Sequence, residues 1–315
     1  MMKYGFGVDL GGTTVKIAYF DQTGTLLNKW EIPTVTENDG AQILPDIAAS
    51  IRSYLEAHKI PDSDILGIGI GVPGPVDNKG VVNGCVNLGW GVFNIHDQLS
   101  ALTGFPVKAS NDANVAALGE CWKGGGAGYE NLLFVTLGTG VGGGIVLGGK
   151  VLNGTHGSAG EIGHMVLDRA EPEQGPCGNY GGAEYYCSAT GIVRVAQRYL
   201  AAHETDSPLA AMESFTAKDV FDLAKAADAT AKAILEIVYS YLGQLIANVC
   251  NVINPQVVIL GGGVSKAGQC LIDGVVPYFM KDAFPGVKEV EFALAKLGND
   301  AGAYGAFKLV ADAFC

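Results

Sequence analysis

The chain has 315 residues, and this length favours two domains of about 100–200 residues each over a single domain. Its formal net charge of −12 argues against a nucleic-acid groove, because such a groove needs clustered lysine and arginine. The hydrophobic share of 48% predicts a large core, and the 46 glycines, about double the usual ~7%, predict many turns.

The composition also argues against a membrane or secreted protein. The most apolar region, 233–260, is interrupted by Gln244 and three asparagines, a pattern that argues against a membrane span. Asp9 lies where a signal peptide needs an uninterrupted apolar core. Seven widely spread cysteines favour free thiols in a reducing compartment. We therefore expect a cytoplasmic location.

The first predicted element is a β-hairpin. Residues 4–9 read as an apolar strand, 11–14 as a Gly/Thr turn, and 15–20 as a second strand. A turn so bare of side chains leaves backbone N–H groups free to surround an anion, although an ordinary tight hairpin has the same pattern. It has neither the Gly-Lys-Ser/Thr of a P-loop nor the helix that follows a dinucleotide fingerprint.

Next, apolar residues at helical spacing predict a helix over 43–58, followed by a buried strand over 65–72. The strand ends in Pro73-Gly74-Pro75, a rigid turn at the carboxyl end, where ligands of such sheets bind. Farther on, Asn111 or Asp112 is expected near the N-cap of a helix over 115–122. From residue type alone, Asp112 is a helix cap more often than a catalytic group.

A second hairpin of the same kind is predicted in the middle of the chain. Its strands are 132–137 and 145–147, and its turn is 138–144. Glycines at 140 and 142–144 are predicted to supply positive φ there, and the hydroxyls of Thr136 and Thr139 add donors. Two such hairpins in separate halves imply a nucleotide held between two similar domains.

The last third reads as mostly helical. Helices are predicted over 190–202, 216–226 and 230–252. A strand over 257–260 then leads to Gly261, Gly262 and Gly263, and a further strand is expected over 292–297. A closing helix is predicted to open at residue 298.

Four motifs in this order resemble those of the ROK family (repressor, open reading frame, kinase), specifically its bacterial glucokinase-type members. They are Asp9-LGGTTVK-Lys16, Thr136-LGTGVGGG-Gly144, Gly160-EIGH-His164 and Ile259-LGGGVS-Ser265. The resemblance implies an α/β fold of two actin-like ATPase (ribonuclease H-like) domains around a central cleft. We expect an N-terminal domain over 1–110, a larger one over 111–299, and a helix over 300–315 that packs back on the first.

The resemblance implies ATP-dependent phosphorylation of a hexose, D-glucose to glucose 6-phosphate, with Asp112 as general base. Mg²⁺ is expected near Asp9 through water. The implied sugar-binding residues are Gly74, Asn87, Asn111, Asp112, Glu161, His164 and Glu184. The implied nucleotide-binding residues are Asp9, Gly11, Gly12, Thr13, Thr14, Lys16, Thr136, Gly138, Thr139 and Gly140 for the phosphates, with Gly261, Gly262 and Gly263 beside the adenosine.

One departure from the family concerns zinc. Family members carry a loop, Cys-x-Cys-Gly-x-x-Gly-Cys-x-Glu, in which three thiolates join a histidine. In Gly175-PCGNYGGAE-Glu184, glycine stands at 175 and 182 where two cysteines belong, and Cys177 alone remains. His164 and Cys177 make two ligands where a structural zinc needs four, so no zinc is expected.

Alternatives stay open. A related kinase acting on N-acetylmannosamine, fructose or allose would carry the same motifs. A sugar-responsive regulator would need a DNA-binding domain before Asp9, and a filament-forming or chaperone-type ATPase would have no need of Asp112, Glu161 and His164. The expected partners are the hexose and ATP, with no nucleic acid or membrane, and the chain is expected to form a homodimer.

Overall fold

The structure, a computed structural model, describes residues 2–175 and 178–314. It divides into two compact units that both combine strands and helices. Unit 1 comprises Met1–Glu130, Gly144–Gly160 and Lys296–Cys315. Unit 2 comprises Asn131–Gly143 and Glu161–Ala295.

The central element of unit 1 is a five-stranded sheet in the order β3-β2-β1-β4-β7. β1 and β2 form the predicted antiparallel hairpin, and β4 and β7 run parallel to β1. Its strands are β1 (Tyr4–Leu10), β2 (Thr14–Asp21), β3 (Leu26–Pro33), β4 (Ile65–Val72) and β7 (Val107–Asn111).

Other elements of unit 1 flank this sheet. They are α1 (Glu37–Gly40), α2 (Ile43–His58), the hairpin β5 (Val81–Cys85) and β6 (Trp90–Asn94), α3 (Ile95–Thr103), α4 (Asp112–Lys123) and α11 (Ala301–Phe314). The bounds of α2 agree with the prediction, and the αL residue Lys59 ends it.

The two faces of this sheet differ in kind. On one face, side chains such as Phe6, Ile68 and Ile70 are fully buried in a core shared with α2 and α3. The other face, which we call the glycine face, consists of residues without side chains on two neighbouring strands. They are Gly5 and Gly7 of β1 and Gly67, Gly69 and Gly71 of β4.

Helix α11 packs directly on the backbone of the glycine face. A Cβ added at Gly7 would lie 2.0 Å from the carbonyl oxygen of Ala303, and one at Gly69 would lie 1.7 Å from that of Ala306. Neither position therefore accommodates even a methyl group. Phe307 of α11 is fully buried against Phe20, and the two rings stack with centroids 4.9 Å apart.

Helix α4 approaches α11 equally closely. A Cβ at Gly305 would lie 1.6 Å from the carbonyl oxygen of Val115, and one at Gly119 would lie 2.2 Å from that of Ala301. Because of this contact α4 belongs to unit 1, whereas a domain boundary was predicted at residue 110.

The buried carboxylate of Glu120 ties α4 to two loops. Glu120 is fully buried and accepts hydrogen bonds from the backbone N–H groups of Gly125, Lys296 and Leu297 at 2.7–3.0 Å. Three N–H donors satisfy a charge that would otherwise be costly to bury. The carboxylate thus fixes the segment that leads into α11.

A second five-stranded sheet has the order β10-β9-β8-β11-β12, and the boundary between the units passes along β9. β11 is parallel to both β8 and β12. The strands are β8 (Leu132–Leu137), β9 (Val141–Leu147), β10 (Lys150–Val151), β11 (Val257–Gly261) and β12 (Glu291–Leu294). The strand predicted over 292–297 is shorter and ends at Leu294, because the N–H groups of Lys296 and Leu297 donate to the Glu120 carboxylate and not to a neighbouring strand.

The helices of unit 2 are α5 (Ala183–Cys187), α6 (Ala189–Ala202), α7 (Pro208–Ala211), α8 (Ala217–Lys225), α9 (Ala229–Ile253) and α10 (Gln269–Asp282). By length and composition alone, α9 would pass as a membrane span, but 61% of its most apolar window is buried within the protein. It packs against α8 and α10, as a core helix does. Gln244 and Asn248 lie on its less buried side.

We expect Gly69→Ala to lower the free energy of unfolding by about 3 kcal/mol or more, because its methyl group would overlap the backbone of α11. Urea denaturation measures the change. Gly91→Ala in β6 is the matched control, since no atom lies within 4 Å of its added Cβ. Equal stability of the two variants would contradict the close packing of α11.

Candidate functional site

The turn between β1 and β2, residues 11–13, is open to solvent on one side. Gly12 and Thr13 are exposed, and a Cβ at Gly12 would meet no atom within 4 Å. The turn is closed by the N–H of Gly11 donating to the carbonyl of Thr14, and Thr34 Oγ1 donates to the carbonyl of Gly11. It therefore has the room that the predicted anion site requires.

Asp9 lies next to this turn, at the end of β1. Its carboxylate is 22% exposed and lies 3.4 Å from Lys16 Nζ, its neighbour across the hairpin. Burial raises the pKa of the Asp9 carboxyl, and Lys16 opposes that rise. The first turn of α11 closes the other side, because a Cβ at Gly302 would lie 2.7 Å from Asp9 Cγ.

Asp112 is the first residue of α4 and directly follows β7. The N-cap is Asn111, whose Oδ1 accepts from the N–H groups of Ala113 and Asn114 at 2.9 and 3.3 Å. The sequence left the cap open between these two residues, and the structure assigns it to Asn111. Asn111 Nδ2 also donates to the carbonyl of Gly74 at 3.4 Å, so the Pro-Gly-Pro turn and the start of α4 lie together.

Cys85 is a buried neighbour of these residues that the sequence analysis did not select. Its thiol donates to the carbonyl of Pro73 at 3.0 Å, and its Cβ fills the space beside Gly74. Burial raises the pKa of the Cys85 thiol, with a smaller contribution from the negative charge of Asp112. The predicted residue Asn87 is exposed in the short 3₁₀ turn Val86–Leu88 that follows.

In unit 2, the second Gly-rich turn is shorter than predicted. It covers residues 138–140, and β9 already begins at Val141. None of the glycines at 140 and 142–144 has positive φ, so that prediction is wrong. Glycine is needed at Gly140 for close approach instead, because a Cβ there would lie 2.2 Å from Glu184 Oε2.

The turn 138–140 is attached to the start of α6. Its Gly138 carbonyl accepts from the N–H of Ala189 at 2.8 Å, and its Thr139 carbonyl accepts from Thr190 Oγ1 at 3.0 Å. Both carbonyls thus point into the protein. Thr136, at the end of β8, is paired in register with Gly261 of β11, so these predicted residues meet at one edge of the sheet.

Glu184 and the Glu161–His164 segment converge on the start of β9. Glu184 Oε2 accepts from the N–H of Val141 at 3.0 Å, and Gly163 packs against the carbonyl of the same residue. His164 Nε2 lies 3.9 Å from Glu161 Oε2, and both side chains are about half exposed. The structure therefore brings together the three predicted polar residues of unit 2 beside the turn 138–140.

A pocket of about 300 Å³ opens beside Gly263. Its wall is largely apolar, with Phe221 and Val264 among the lining residues. Its charged lining residues are Lys218, Lys225, Lys266 and Asp222. Gly261 and Gly262 do not line it; at Gly262, φ is 80° and a Cβ would lie 2.5 Å from the carbonyl oxygen of Leu137. The contribution of α8 to this pocket was not predicted. The amphipathic pattern of α8 was the one feature of the sequence that could have indicated it.

The residues of the zinc-type loop do not fit a zinc ion. Gly175 and Gly182 offer no donor atom, and Cys177 lies outside the described residues. Among the residues that the structure describes, no three His, Cys, Asp or Glu side chains are grouped to hold a metal. A tetrahedral structural site needs four ligands.

The chain is similar to known proteins over nearly its whole length. The model of the ROK family matches residues 5–313. The glucokinase of Halalkalibacterium halodurans is 45% identical over 313 residues, which cover 96% of this chain and 94% of that protein.

Two solved structures have the same fold. The ROK hexokinase from Thermus thermophilus has a TM-score of 0.80 and 31% identity, covering 99% of this chain and 100% of that chain. A ROK family glucokinase from Streptomyces griseus, solved in complex with glucose and AMPPNP, has a TM-score of 0.74 and 30% identity, covering 98% and 99%. The predicted fold class, with two actin-like ATPase domains, is confirmed.

We expect the purified protein to contain far less than one zinc per chain, because two of the loop positions lack a donor atom. Elemental analysis measures the zinc content, and thermal unfolding with and without a chelator measures its effect on stability. The melting temperature should not change. Stoichiometric zinc together with a chelator-induced loss of stability would contradict the alignment of the 175–184 segment.

Proposed function

Because the chain belongs to the ROK family, we propose that it transfers the γ-phosphoryl group of ATP to the 6-hydroxyl of D-glucose. The observation that carries the proposal is the whole-length similarity to glucokinases, joined to a carboxylate at the start of α4. The relative solved with glucose and AMPPNP supports both the sugar and the nucleotide.

Asp112 is the proposed general base. It directly follows the carboxyl end of β7, the edge of a parallel sheet at which ligands bind. Asn111 is the N-cap residue of α4, and Asp112 Oδ1 also accepts from the N–H of Ala113 at 2.8 Å, which holds the carboxylate at the start of the helix. A carboxylate within reach of a sugar hydroxyl accepts its proton as phosphoryl transfer proceeds.

The other proposed sugar-binding residues are Gly74, Asn87 and Asn111 of unit 1 and, separately, Glu161, His164 and Glu184 of unit 2. Carboxylates accept hydrogen bonds from adjacent hydroxyls, and an imidazole either donates or accepts.

The nucleotide is assigned to the two Gly/Thr turns and the Gly263 pocket. The turns at 11–14 and 138–140 offer backbone N–H groups and hydroxyls to the phosphates. The mostly apolar pocket beside Gly263 suits a base, and its three lining lysines, against one lining aspartate, suit nearby negative charge.

When Mg²⁺ is bound with ATP, it neutralises phosphate charge. Asp9 fits as the carboxylate near it, because Mg²⁺ in such sites is held by one or two carboxylates and water, and Asp9 is partly exposed at the end of β1. Lys16 orients that carboxylate by its ion pair at 3.4 Å.

The alternative functions differ from a glucokinase in the sugar they prefer or in whether they use ATP. A kinase for N-acetylmannosamine, fructose or allose would use the same base and the same turns but prefer another sugar. A sugar-responsive regulator would bind the hexose without consuming ATP. A cytoplasmic location and a homodimer remain part of the proposal, the first supported by the use of ATP.

We expect Asp112→Asn to lower kcat by about 10²–10⁴, the range of general acid–base catalysis, while glucose binding is largely kept. Steady-state kinetics and glucose titration measure the two effects. Asp97→Asn, an exposed aspartate in the first turn of α3, is the control and should keep wild-type kcat. A near wild-type kcat for Asp112→Asn would contradict the general-base role and leave Asp112 with a structural role at the start of α4.

We expect glucose to give a higher kcat/KM than N-acetylmannosamine, fructose or allose. A site built to pair a substrate hydroxyl rejects an analogue that lacks it by about 10⁴–10⁵ in favourable cases. A competition assay with equal glucose and N-acetylmannosamine, ATP and Mg²⁺ measures the preference. If the phosphorylated amino sugar predominated, the choice of glucose would be wrong while the kinase assignment stood.

A further inference from the structure

The segment between His164 and Glu184 connects two proposed sugar contacts. We call it the 165–182 loop; Pro176 and Cys177 within it lie outside the described residues. Its two ends pair with each other: the N–H of Leu167 donates to the carbonyl of Gly181, and the N–H of Ala183 to that of Met165, both at 2.8 Å. Whatever orders this loop therefore also positions His164 and Glu184.

Asn179 occupies the space between the two glycines of the zinc-type pattern. A Cβ at Gly182 would lie 2.7 Å from Asn179 Nδ2, and a Cβ at Gly175 would lie 3.3 Å from the Asn179 carbonyl oxygen and 3.5 Å from Oδ1. A side chain at 182 would therefore compete with the Asn179 amide for this space, whereas one at 175 would lie close to the Asn179 carbonyl oxygen and in ordinary contact with Oδ1. The absence of a side chain at 182 and the presence of the amide at 179 are thus complementary.

Asn179 also reaches the proposed sugar site directly. Its Nδ2 donates to the carbonyl of His164 at 2.9 Å, and its own carbonyl accepts from the N–H of Gly175 at 2.7 Å. One residue therefore links the tip of the loop to the residue that bears the imidazole.

A second attachment holds the other side of the loop to α6. Glu171, only 6% exposed, receives a bidentate pair of hydrogen bonds from Arg198 at 2.7 and 2.9 Å and a third from Tyr186 at 2.8 Å. Arg198 also pairs with Glu173 at 3.0 Å. The Arg198 hydrogen bonds hold the pKa of Glu171 down at about 2 against the effect of burial, so the ion pair is intact at neutral pH.

We propose that Asn179 and the Arg198–Glu171 pair are positioning residues that hold His164 and Glu184 for the sugar, in place of a metal centre. Both attachments are hydrogen-bonded within unit 2, and they hold different segments of the 165–182 loop. The inference rests on the proposed function for the sugar roles of His164 and Glu184, but not for the ordering of the loop.

The test uses the full chain and the isosteric variant Asn179→Asp, which places an acceptor against the His164 carbonyl. We expect KM for glucose to rise about tenfold or more, because a small misplacement of contacts is costly, while KM for ATP stays within about twofold. kcat should change much less than KM for glucose. Arg198→Met should act in the same direction, and Arg198→Lys should recover part of the loss.

Asn251→Asp is the matched control. The Asn251 side-chain amide is hydrogen-bonded to two backbone groups of unit 2, the carbonyl of Asp282 and the N–H of Phe284, and neither belongs to the 165–182 loop. An equal rise in KM for glucose in this control, or an unchanged KM in Asn179→Asp, would overturn the proposal. So would one bound zinc per chain.

Hydrogen exchange separates this inference from the proposed function. The amides of Leu167 and Ala183 should exchange at least tenfold faster in Asn179→Asp than in the wild type, whichever sugar is used. If the wild type failed to phosphorylate glucose, faster exchange would still support the ordering role of Asn179. Unchanged exchange at both amides would overturn it.

Discussion

The close contact of α11 with the glycine face is the constraint on which the structure of unit 1 depends. Along β1 and β4, apolar side chains alternate with glycines, so one face builds an ordinary core and the other offers bare backbone. α11 lies on that backbone with its own alanines and glycines, and α4 approaches α11 through Gly119 and Gly305. Because each layer touches the next through backbone atoms, small displacements meet hard contacts, as expected for a tightly packed interior.

This packing determines where the chemistry of unit 1 is placed. Asp9 ends β1 against the first turn of α11, and Asp112 begins the α4 helix that packs on the same helix. Glu120 then fixes the segment before α11 through buried hydrogen bonds to its backbone. The proposed metal-binding carboxylate and the proposed base therefore share one rigid support, which is what a preorganised site needs.

Much of the fold could be predicted because local patterns were strong: the bounds of α2, the β1–β2 hairpin and the end of α9 follow from periodicity and from Asn254-Pro255. The role of the glycines could not be predicted, because the sequence does not distinguish a glycine in a turn from a glycine against which a helix packs. Gly140 was assigned to a positive φ, yet it makes room for Glu184. The role of Asn179 could not be predicted either, because it depends on contacts with two glycines and a histidine that only the fold brings close to it.

The glycine face also bears on the order in which the chain is completed during synthesis. β1 and β4 are made early, and α2 can cover their apolar face at once, but the segment that covers the bare face is synthesised only after residue 300. Unit 2, whose strands and helices all precede α11, has its full set of partners sooner. Unit 1 is therefore the first unit to be synthesised but the last to be completed. Its completion needs contacts between residues far apart in the sequence, and such contacts slow folding. Until then the glycine face of its sheet stays uncovered by α11, and incompletely covered surfaces of this kind are open to wrong partners.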